Sequence, residues 1–93
     1  DVVYATRWQT MGVPHADPNW RDKFRPYCVT PAIMMKVSKS EGTIFLHDLP
    51  AVYGEDVHEE VINGEQSLAW RQAHHKMFSA MAILEWCLNM PRC

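Results

Sequence analysis

The chain has 93 residues, of which 47% are apolar and 22% charged, a composition typical of one small globular domain. Its 9 basic and 11 acidic residues give a formal charge of -2 without a basic cluster, which argues against nucleic acid as a partner. The longest apolar segment, Met77 to Met90, is too short and too often interrupted by polar residues to span a membrane, so we expect no membrane partner either.

The first third of the chain is predicted to contain a strand, a long loop and a helical turn. β-Branched and aromatic residues over Asp1 to Ala5 favour a short buried strand. Glycine and proline residues predict a loop over Met11 to Asn19, and a loop of this length in a small domain is usually functional. Trp20 to Phe24 is predicted as a helical turn, and Tyr27 to Val29 as a short extended segment.

The middle of the chain is predicted to form a helix followed by a central strand. Thr30 is a favourable N-cap and Pro31 suits the first helical position. We expect this helix to run to about Lys39, with Gly42 closing it. Thr43 to His47 is apolar on both faces, as expected of a central parallel strand.

The last third is predicted to contain a short acidic helix, a third strand and a long helix. Gly54 to Gly64 carries the acidic helix and ends it at Gly64, and Gln66 to Trp70 is the strand candidate. From Met77 to Leu88 apolar residues recur at helical spacing around nearly the whole circumference, which predicts a buried helix. The tryptophans and four methionines are also expected in the core: Met34, Met35, Met77 and Met81.

Strands that alternate with helices indicate the fold class. They predict an α/β fold of about three parallel strands with helices on both faces, the C-terminal part of a Rossmann-like, doubly wound sheet. The carboxyl ends of parallel strands lie on one edge of a sheet. Thr6 to Met11, His47 to Pro50 and Arg71 to Lys76 are therefore expected to line a single crevice.

The cysteines and the start of the chain bear on its cellular context. Cys28, Cys87 and Cys93 form no C-x-x-C pair, and no secretory apolar segment stands at the start. We therefore expect a cytoplasmic location. The chain begins inside a predicted strand, without an initiator methionine, so we also expect it to be a piece of a larger protein.

Four segments, in order along almost the whole chain, resemble the C-terminal, amino-acid-binding domain of the aspartate and ornithine carbamoyltransferases. DVVYATRWQTMG is similar to D-V-V-Y-x-D-x-W-x-S-M-G of the ornithine enzymes, and FRPYCVTPAIM to their F-x-P-Y-x-V-x-x-x-L. FLHDLPAVYGEDVHEEVINGEQS is similar to their H-C-L-P-A-x-R-G-E-E-V-x-x-x-V-x-x-G-x-Q-S. RQAHHKMFSAMAIL falls on their E-A-E-N-R-x-H-x-x-x-A-L.

The resemblance implies a function for the complete protein. Residues 1–93 would form part of the domain that binds the acceptor, in an enzyme that transfers the carbamoyl group of carbamoyl phosphate to the amine of an amino acid such as ornithine. Such an enzyme needs no cofactor and is expected to be a homotrimer. The family's S-T-R-T and H-P-x-Q segments, which belong to an N-terminal carbamoyl-phosphate-binding half, are absent here. The chain alone is therefore expected to be inactive.

Two departures from the ornithine pattern bear on the substrate. Thr6 stands where the ornithine enzymes carry an aspartate, and Asp48 replaces the cysteine of their H-C-L-P. YATRWQ is instead similar to Y-x-T-R-x-Q of the aspartate enzymes, whose arginine and glutamine contact substrate carboxylates. The resemblance therefore implies acceptor-binding roles for Thr6, Arg7 and Gln9, in a chain that mixes the two patterns.

Arg7 and Asp48 are the strongest candidates for recognition of the acceptor. The planar guanidinium of Arg7 suits a carboxylate, although a surface ion pair with a neighbouring acid is the alternative. Asp48 is an acceptor-only carboxylate that can hold an ammonium and orient an amine, with general-base catalysis as a secondary role. Alternatively, Asp48 caps the next helix or pairs with Arg7.

The remaining site residues come from the resemblance. His47 would steady the loop or donate to the carbamoyl oxygen, and a structural role is the simpler interpretation. The Leu49–Pro50 peptide bond would be cis, with backbone carbonyls facing the carbamoyl NH2. Lys76 falls where the family has an arginine that reaches carbamoyl phosphate; a solvated lysine is the alternative. Thr10 and Met11 would belong to a mobile loop that closes over the acceptor.

Two further interpretations complete the predictions. His74 and His75 are adjacent on a helix and diverge by roughly 100°, so with His47 and His58 they are not expected to form a metal site. The alternative to an enzyme is a non-catalytic amino-acid-binding or scaffold module that keeps the carbamoyltransferase fold.

Overall fold

Two parallel strands form the centre of the fold. The structure, a computed structural model, describes residues 1–39 and 42–89. Strand β1 (Val2–Ala5) pairs in parallel with β2 (Ile44–His47), from Val2 opposite Ile44 to Ala5 opposite His47. Because the strands run in register, both end at the same edge of the sheet.

The prediction of a third strand over Gln66 to Trp70 is wrong, because only Ser67 in this segment pairs with a strand. Ser67 forms one parallel bridge to Phe45, whose N–H donates to the carbonyl of Gln66 at 2.8 Å and whose carbonyl accepts from Leu68 at 2.9 Å. The Ser67 hydroxyl then accepts the N–H of Ala69 at 3.3 Å, and a helix begins there. Side-chain capping therefore ends the extended conformation before a strand can form.

Four α-helices and one 3₁₀ turn surround the strands in the described part of the chain. They are α1 (Trp20–Phe24), the 3₁₀ turn Arg25–Tyr27, α2 (Pro31–Val37), α3 (Glu59–Ile62) and α4 (Ala69–Asn89). The prediction of an extended Tyr27 to Val29 is wrong at Tyr27, because the chain ends a helical turn there and only Val29 pairs, with Val57.

The predicted boundaries of the short helices are largely confirmed. Thr30 caps α2, since its hydroxyl accepts the N–H of Ile33 at 3.3 Å. This helix ends at Val37, slightly before the predicted Lys39, and its C-cap is Ser38, so the prediction that Gly42 closes the helix is wrong. Gly64 follows α3 where a Cβ atom would lie 2.6 Å from the carbonyl oxygen of Glu60, so the helix end requires glycine.

The hydrophobic core lies between the sheet and helices α2, α3 and the start of α4. Phe45 is fully buried at its centre, and its neighbours come from every one of these elements. The cluster comprises Ala5, Val29, Met34, Phe45, Val57, Val61, Ile62 and Ala69. Parallel strands packed against helices agree with the predicted α/β class.

Helix α4 is not buried, which contradicts the prediction from its apolar circumference. Ala69 packs in the core, but Met77, Leu84 and Leu88 are 52%, 63% and 82% exposed. No described element covers the helix beyond its first turns, so its apolar residues form an uncovered surface, which in folded proteins usually marks an interface. The core prediction is also wrong for further residues: Met35, Met81, Trp70 and Trp86 are exposed, whereas Met34 and Trp20 are buried.

Helix α4 has 21 residues, which is about the length of a membrane-spanning helix. Among residues 1–39 and 42–89, none of the helices combines the length with the apolar character that crossing a bilayer requires.

Cys28 and Cys87 should differ in reactivity. Burial raises the pKa of the Cys28 thiol, and the negative charge of Asp56 adds to the effect, so less reactive thiolate is present at neutral pH. Cys87 is exposed. We expect iodoacetamide to alkylate Cys87 several-fold faster than Cys28 at neutral pH, measured by mass spectrometry of the two peptides. The difference between the two alkylation rates should narrow as the pH rises toward the pKa of Cys28. Equal rates at neutral pH would contradict the partly buried position of this thiol.

Candidate functional site

The ends of β1 and β2 and the first turns of α4 meet at one edge of the sheet. Directly after the strands, the Thr6 hydroxyl donates to Oδ2 of Asp48 at 3.0 Å. From α4, Oε1 of Gln72 accepts the backbone N–H of His47 at 3.1 Å. The ammonium of Lys76 donates to the backbone carbonyl of Asp48. Thr6, His47, Asp48 and Lys76, all predicted site residues, thus lie in one hydrogen-bonded cluster.

His47 forms a buried pair with Asp56. Neither side chain is more than 1% exposed, and Nε2 of His47 lies 2.7 Å from Oδ2 of Asp56. Nδ1 of His47 accepts the backbone N–H of Leu49 at 2.8 Å, so the neutral tautomer with a proton on Nε2 satisfies both contacts. Because both ring nitrogens are engaged, His47 steadies the loop and has no free nitrogen for a substrate.

Asp56 is a site residue that the sequence did not reveal. Besides His47, its carboxylate accepts the backbone N–H of Val52 at 3.1 and 3.2 Å. It therefore holds both ends of the segment that contains Pro50. Nothing in the sequence distinguishes Asp56 from its acidic neighbour Glu55, which forms a surface ion pair with Arg21.

The Leu49–Pro50 peptide bond is cis, as the resemblance implied. Leu49 has a φ of 55°, in the left-handed region that costs a residue with a side chain about 1–2 kcal/mol. Its N–H is held by His47. A cavity of about 390 Å³ opens beside this corner, and its lining consists of Leu49, Pro50, Ala51, Tyr53 and Trp70.

Asp48 carries an unpaired oxygen. Its side chain is 40% exposed, yet Oδ1 is shielded from solvent and has no hydrogen-bond partner among the described residues. The nearest ring nitrogen, Nδ1 of His47, is 3.6 Å away and already occupied by Leu49. Buried polar atoms are almost always hydrogen-bonded, so an acceptor without a donor among the described residues is a candidate binding point for a ligand.

The alternative roles predicted for Asp48 and Arg7 are not found in the described residues. His58, rather than Asp48, caps α3, because its Nδ1 accepts the N–H of Glu60 at 3.4 Å. Within residues 1–39 and 42–89, Arg7 forms no ion pair with a carboxylate. It remains half-buried beside the end of β1.

The loop after β1 keeps its other predicted site residues away from Asp48. The amide of Gln9 donates to the carbonyl of Val13 at 3.5 Å, within the same loop. Thr10 begins a turn in which its own carbonyl accepts the N–H of Val13 at 3.2 Å. Met11 lies on this turn and is 75% exposed. The structure therefore does not bring Gln9, Thr10 or Met11 into contact with the cluster.

Gln72 was also not predicted as a site residue, although it lies within Arg71 to Lys76, a segment that we expected to line the crevice. Its Oε1 holds the backbone of His47, while its amide donates to the hydroxyl of Tyr4 at 2.9 Å. One side chain thus connects α4 with both strands. In the part of the chain that the structure describes, no three His, Cys, Asp or Glu side chains are grouped as metal ligands.

Two parallel strands that end together, with polar side chains gathered at their carboxyl ends, are the arrangement in which open α/β domains bind ligands. Residues 1–87 match the family described as "Aspartate/ornithine carbamoyltransferase, Asp/Orn binding domain". The chain belongs to this family, which confirms the resemblance carried by its sequence motifs.

Individual relatives agree with this assignment. Ornithine carbamoyltransferase of Sulfolobus acidocaldarius is 42% identical over 83 residues, which cover 89% of this chain and 26% of that protein. The protein of the same name from Corynebacterium diphtheriae is 38% identical over 93 residues, covering 99% and 28% of the two chains. The chain thus spans about a quarter of the length of these curated relatives.

Solved structures confirm the fold class. The ornithine carbamoyltransferase from Pyrococcus furiosus superposes with a TM-score of 0.75 at 34% identity, over 90% of this chain and 26% of that one. Ornithine transcarbamoylase from Giardia lamblia has a TM-score of 0.73 at 29% identity, over 99% and 27%. The chain therefore has the α/β fold of a fragment of a Rossmann-like domain.

Proposed function

We propose that this chain is part of the acceptor-binding domain of a carbamoyltransferase, and that the complete enzyme carbamoylates an amino acid such as ornithine or a related carboxylate-bearing amine. The observation that carries the proposal is the His47–Pro50 corner. There Asp48 carries a carboxylate oxygen that has no donor among the described residues, and its other oxygen is held by Thr6, in a chain of the carbamoyltransferase family.

The reaction sets clear requirements for the site. The neutral amine of the acceptor attacks the carbamoyl carbon, a C–N bond forms, and the C–O bond to phosphate breaks. Inorganic phosphate leaves and takes up the proton that the amine nitrogen loses. The site must therefore orient the amine, hold the carbamoyl group and stabilise the charge of the departing phosphate.

The described residues can be assigned to these tasks. Asp48 would hold the amine through Oδ1, which has no donor in the described residues. Arg7, which pairs with no carboxylate among those residues, would bind the acceptor carboxylate with its guanidinium. The backbone at Leu49 would face the carbamoyl group. Lys76, anchored to the carbonyl of Asp48, would place a positive charge for carbamoyl phosphate. His47 would act as a positioning residue, since both of its ring nitrogens are engaged.

The loop after β1 would complete the acceptor site by moving. Gln9, Thr10 and Met11 lie on this loop and do not touch the cluster. If the loop closed over a bound amino acid, Gln9 could add a second contact to the carboxylate. Binding of the acceptor should then protect the backbone amides of this loop from hydrogen exchange.

A separate N-terminal half would hold carbamoyl phosphate in our proposal. The uncovered apolar residues of α4 support a partner there, because exposed patches of this kind normally pack against another segment. We further propose a homotrimer in the cytoplasm. Light scattering of the complete protein would test the trimer, and cell fractionation would test the location.

Product formation tests the proposed function directly. The complete protein is incubated with carbamoyl phosphate and, separately, with ornithine, lysine, aspartate and putrescine, and the ureido product is measured by liquid chromatography and mass spectrometry. The proposal expects product with at least one carboxylate-bearing amine, and phosphate in equal amount. Amino-acid binding without any ureido product would favour the non-catalytic module instead.

Arg7→Ala should weaken recognition of the acceptor carboxylate. Losing a bidentate, charge-assisted contact should raise KM for the acceptor about tenfold to a hundredfold, with a smaller effect on kcat. Arg7→Lys should be intermediate, because lysine keeps the charge but lacks the planar fork. The control is Arg25→Ala, which removes an exposed arginine paired with Asp22 at 2.9 Å. An unchanged KM in Arg7→Ala would refute the assignment.

A further inference from the structure

Thr6 and Asp48 are joined although they follow different strands. The hydroxyl of Thr6 donates to Oδ2 of Asp48 at 3.0 Å, across 42 positions of sequence. The parallel register explains the proximity, because β1 and β2 end side by side at Ala5 and His47. Each residue of the pair is thus the first residue beyond its own strand.

The hydrogen bond from Thr6 makes the two oxygens of the Asp48 carboxylate different in their surroundings. Oδ2 has a fixed donor in Thr6, whereas Oδ1 is shielded from solvent and has no donor in the described residues. A free carboxylate would turn to expose both oxygens to water. The bond from Thr6 instead keeps Oδ1 in its buried, unpaired position, which leaves it ready for an incoming N–H donor.

The surroundings of Asp48 decide which donor fits. His47 presents no N–H to Oδ1, because its Nδ1 accepts from Leu49 and its Nε2 faces Asp56. Lys76 directs its ammonium to the backbone carbonyl of Asp48. A cationic donor from outside would gain a charge-assisted bond to Oδ1. The Asp48 side chain is 40% exposed, so a small shift of its surroundings on binding would admit a primary ammonium to this oxygen.

Both members of the pair are among the positions at which this chain differs from the ornithine pattern that it resembles. That pattern carries an aspartate at the position of Thr6 and a cysteine at the position of Asp48. In this chain the carboxylate stands at the end of β2 and a hydroxyl at the end of β1. The two substitutions form one hydrogen-bonded unit.

We infer that Thr6 is a positioning residue: it does not touch the acceptor itself, but holds Asp48 so that Oδ1 receives the primary ammonium of the acceptor. This inference rests on the proposed function and assigns the recognition of the amine to one carboxylate oxygen. It also replaces the direct substrate contact that the resemblance implied for Thr6.

A comparison of Thr6→Val with Thr6→Ser tests the inference. Valine keeps the shape of threonine and removes the hydroxyl; serine keeps the hydroxyl and removes the methyl group. Thr6 is exposed, so neither change should unfold the protein. We expect Thr6→Val to weaken binding of the acceptor about tenfold and Thr6→Ser to stay close to wild type. If Thr6 acted only through packing, this order would be reversed.

A double-mutant cycle shows whether Thr6 acts through Asp48. In an Asp48→Asn background, Thr6→Val should have little additional effect, because the carboxylate that it positions is gone. Fully additive effects of the two substitutions would overturn the inference. Equal binding by wild type and Thr6→Val would overturn it as well.

Two readouts separate this inference from the proposed function. Kd for ornithine, lysine, aspartate and putrescine is measured by calorimetry on the complete protein, and KM is measured for any amine that is carbamoylated. A wild-type protein that binds an amine without forming ureido product refutes the proposed function, while the Thr6 series still decides the inference. A wild-type protein that binds none of these amines overturns the inference.

Discussion

Asp56→Ala should lower the free energy of unfolding by about 3 kcal/mol. The substitution removes the acceptor of two donors, the buried Nε2–H of His47 and the part-buried backbone N–H of Val52. Each unsatisfied buried group costs about 1–3 kcal/mol. Urea unfolding of the complete protein would measure the loss, and hydrogen exchange should show faster exchange at the amides of Leu49 and Val52.

Two further variants make the Asp56 experiment specific. Asp56→Asn keeps an oxygen that can accept from His47, so it should recover part of the lost stability. Glu55→Ala is the matched control, since it removes the adjacent acid and its surface ion pair with Arg21, a type of contact worth about 0.2–1 kcal/mol. Equal losses from Glu55→Ala and Asp56→Ala would refute a special role of Asp56 in the loop.

Asp48→Asn should reduce kcat/KM for the acceptor about 100-fold. Asparagine preserves the size of the side chain and removes the negative charge that would hold the amine. The loss should be shared between KM and kcat, because a poorly held amine binds more weakly and is also oriented less well. Steady-state kinetics with carbamoyl phosphate at saturation would separate the two.

Asp22→Asn provides the control for Asp48→Asn. Asp22 is an exposed acid whose contact is an ion pair with Arg25 on the same helical segment, and its loss should leave the kinetics unchanged. If Asp48→Asn were as active as this control, Asp48 would be a loop residue without a part in the reaction.

The parts of the fold that follow from local preference could be predicted from the sequence. Apolar residues at Val2–Ala5 and Ile44–His47 specify strands, and the Thr30 hydroxyl caps α2 through a neighbouring amide. The third strand was overpredicted because Ser67 can cap a helix as readily as it can extend a strand. That competition is settled by the single bridge to Phe45, which is a tertiary contact.

The exposure of α4 could not be predicted from the sequence of the helix itself. An apolar circumference indicates that a helix can be buried, but it does not say what buries it. In the described residues only the first turns of α4 meet the sheet, so Met77 and Leu88 lie in the open.

The sequence by itself determined the class of the domain, the two strands and the polar residues that follow them, since periodicity and local motifs depend on neighbouring residues alone. Only the tertiary structure decided which of those residues act together. Parallel pairing brings Thr6 to Asp48, and burial joins His47 to Asp56. Gln72 reaches both strands from α4. These contacts join residues from different parts of the chain, and their geometry arises only when the sheet has formed.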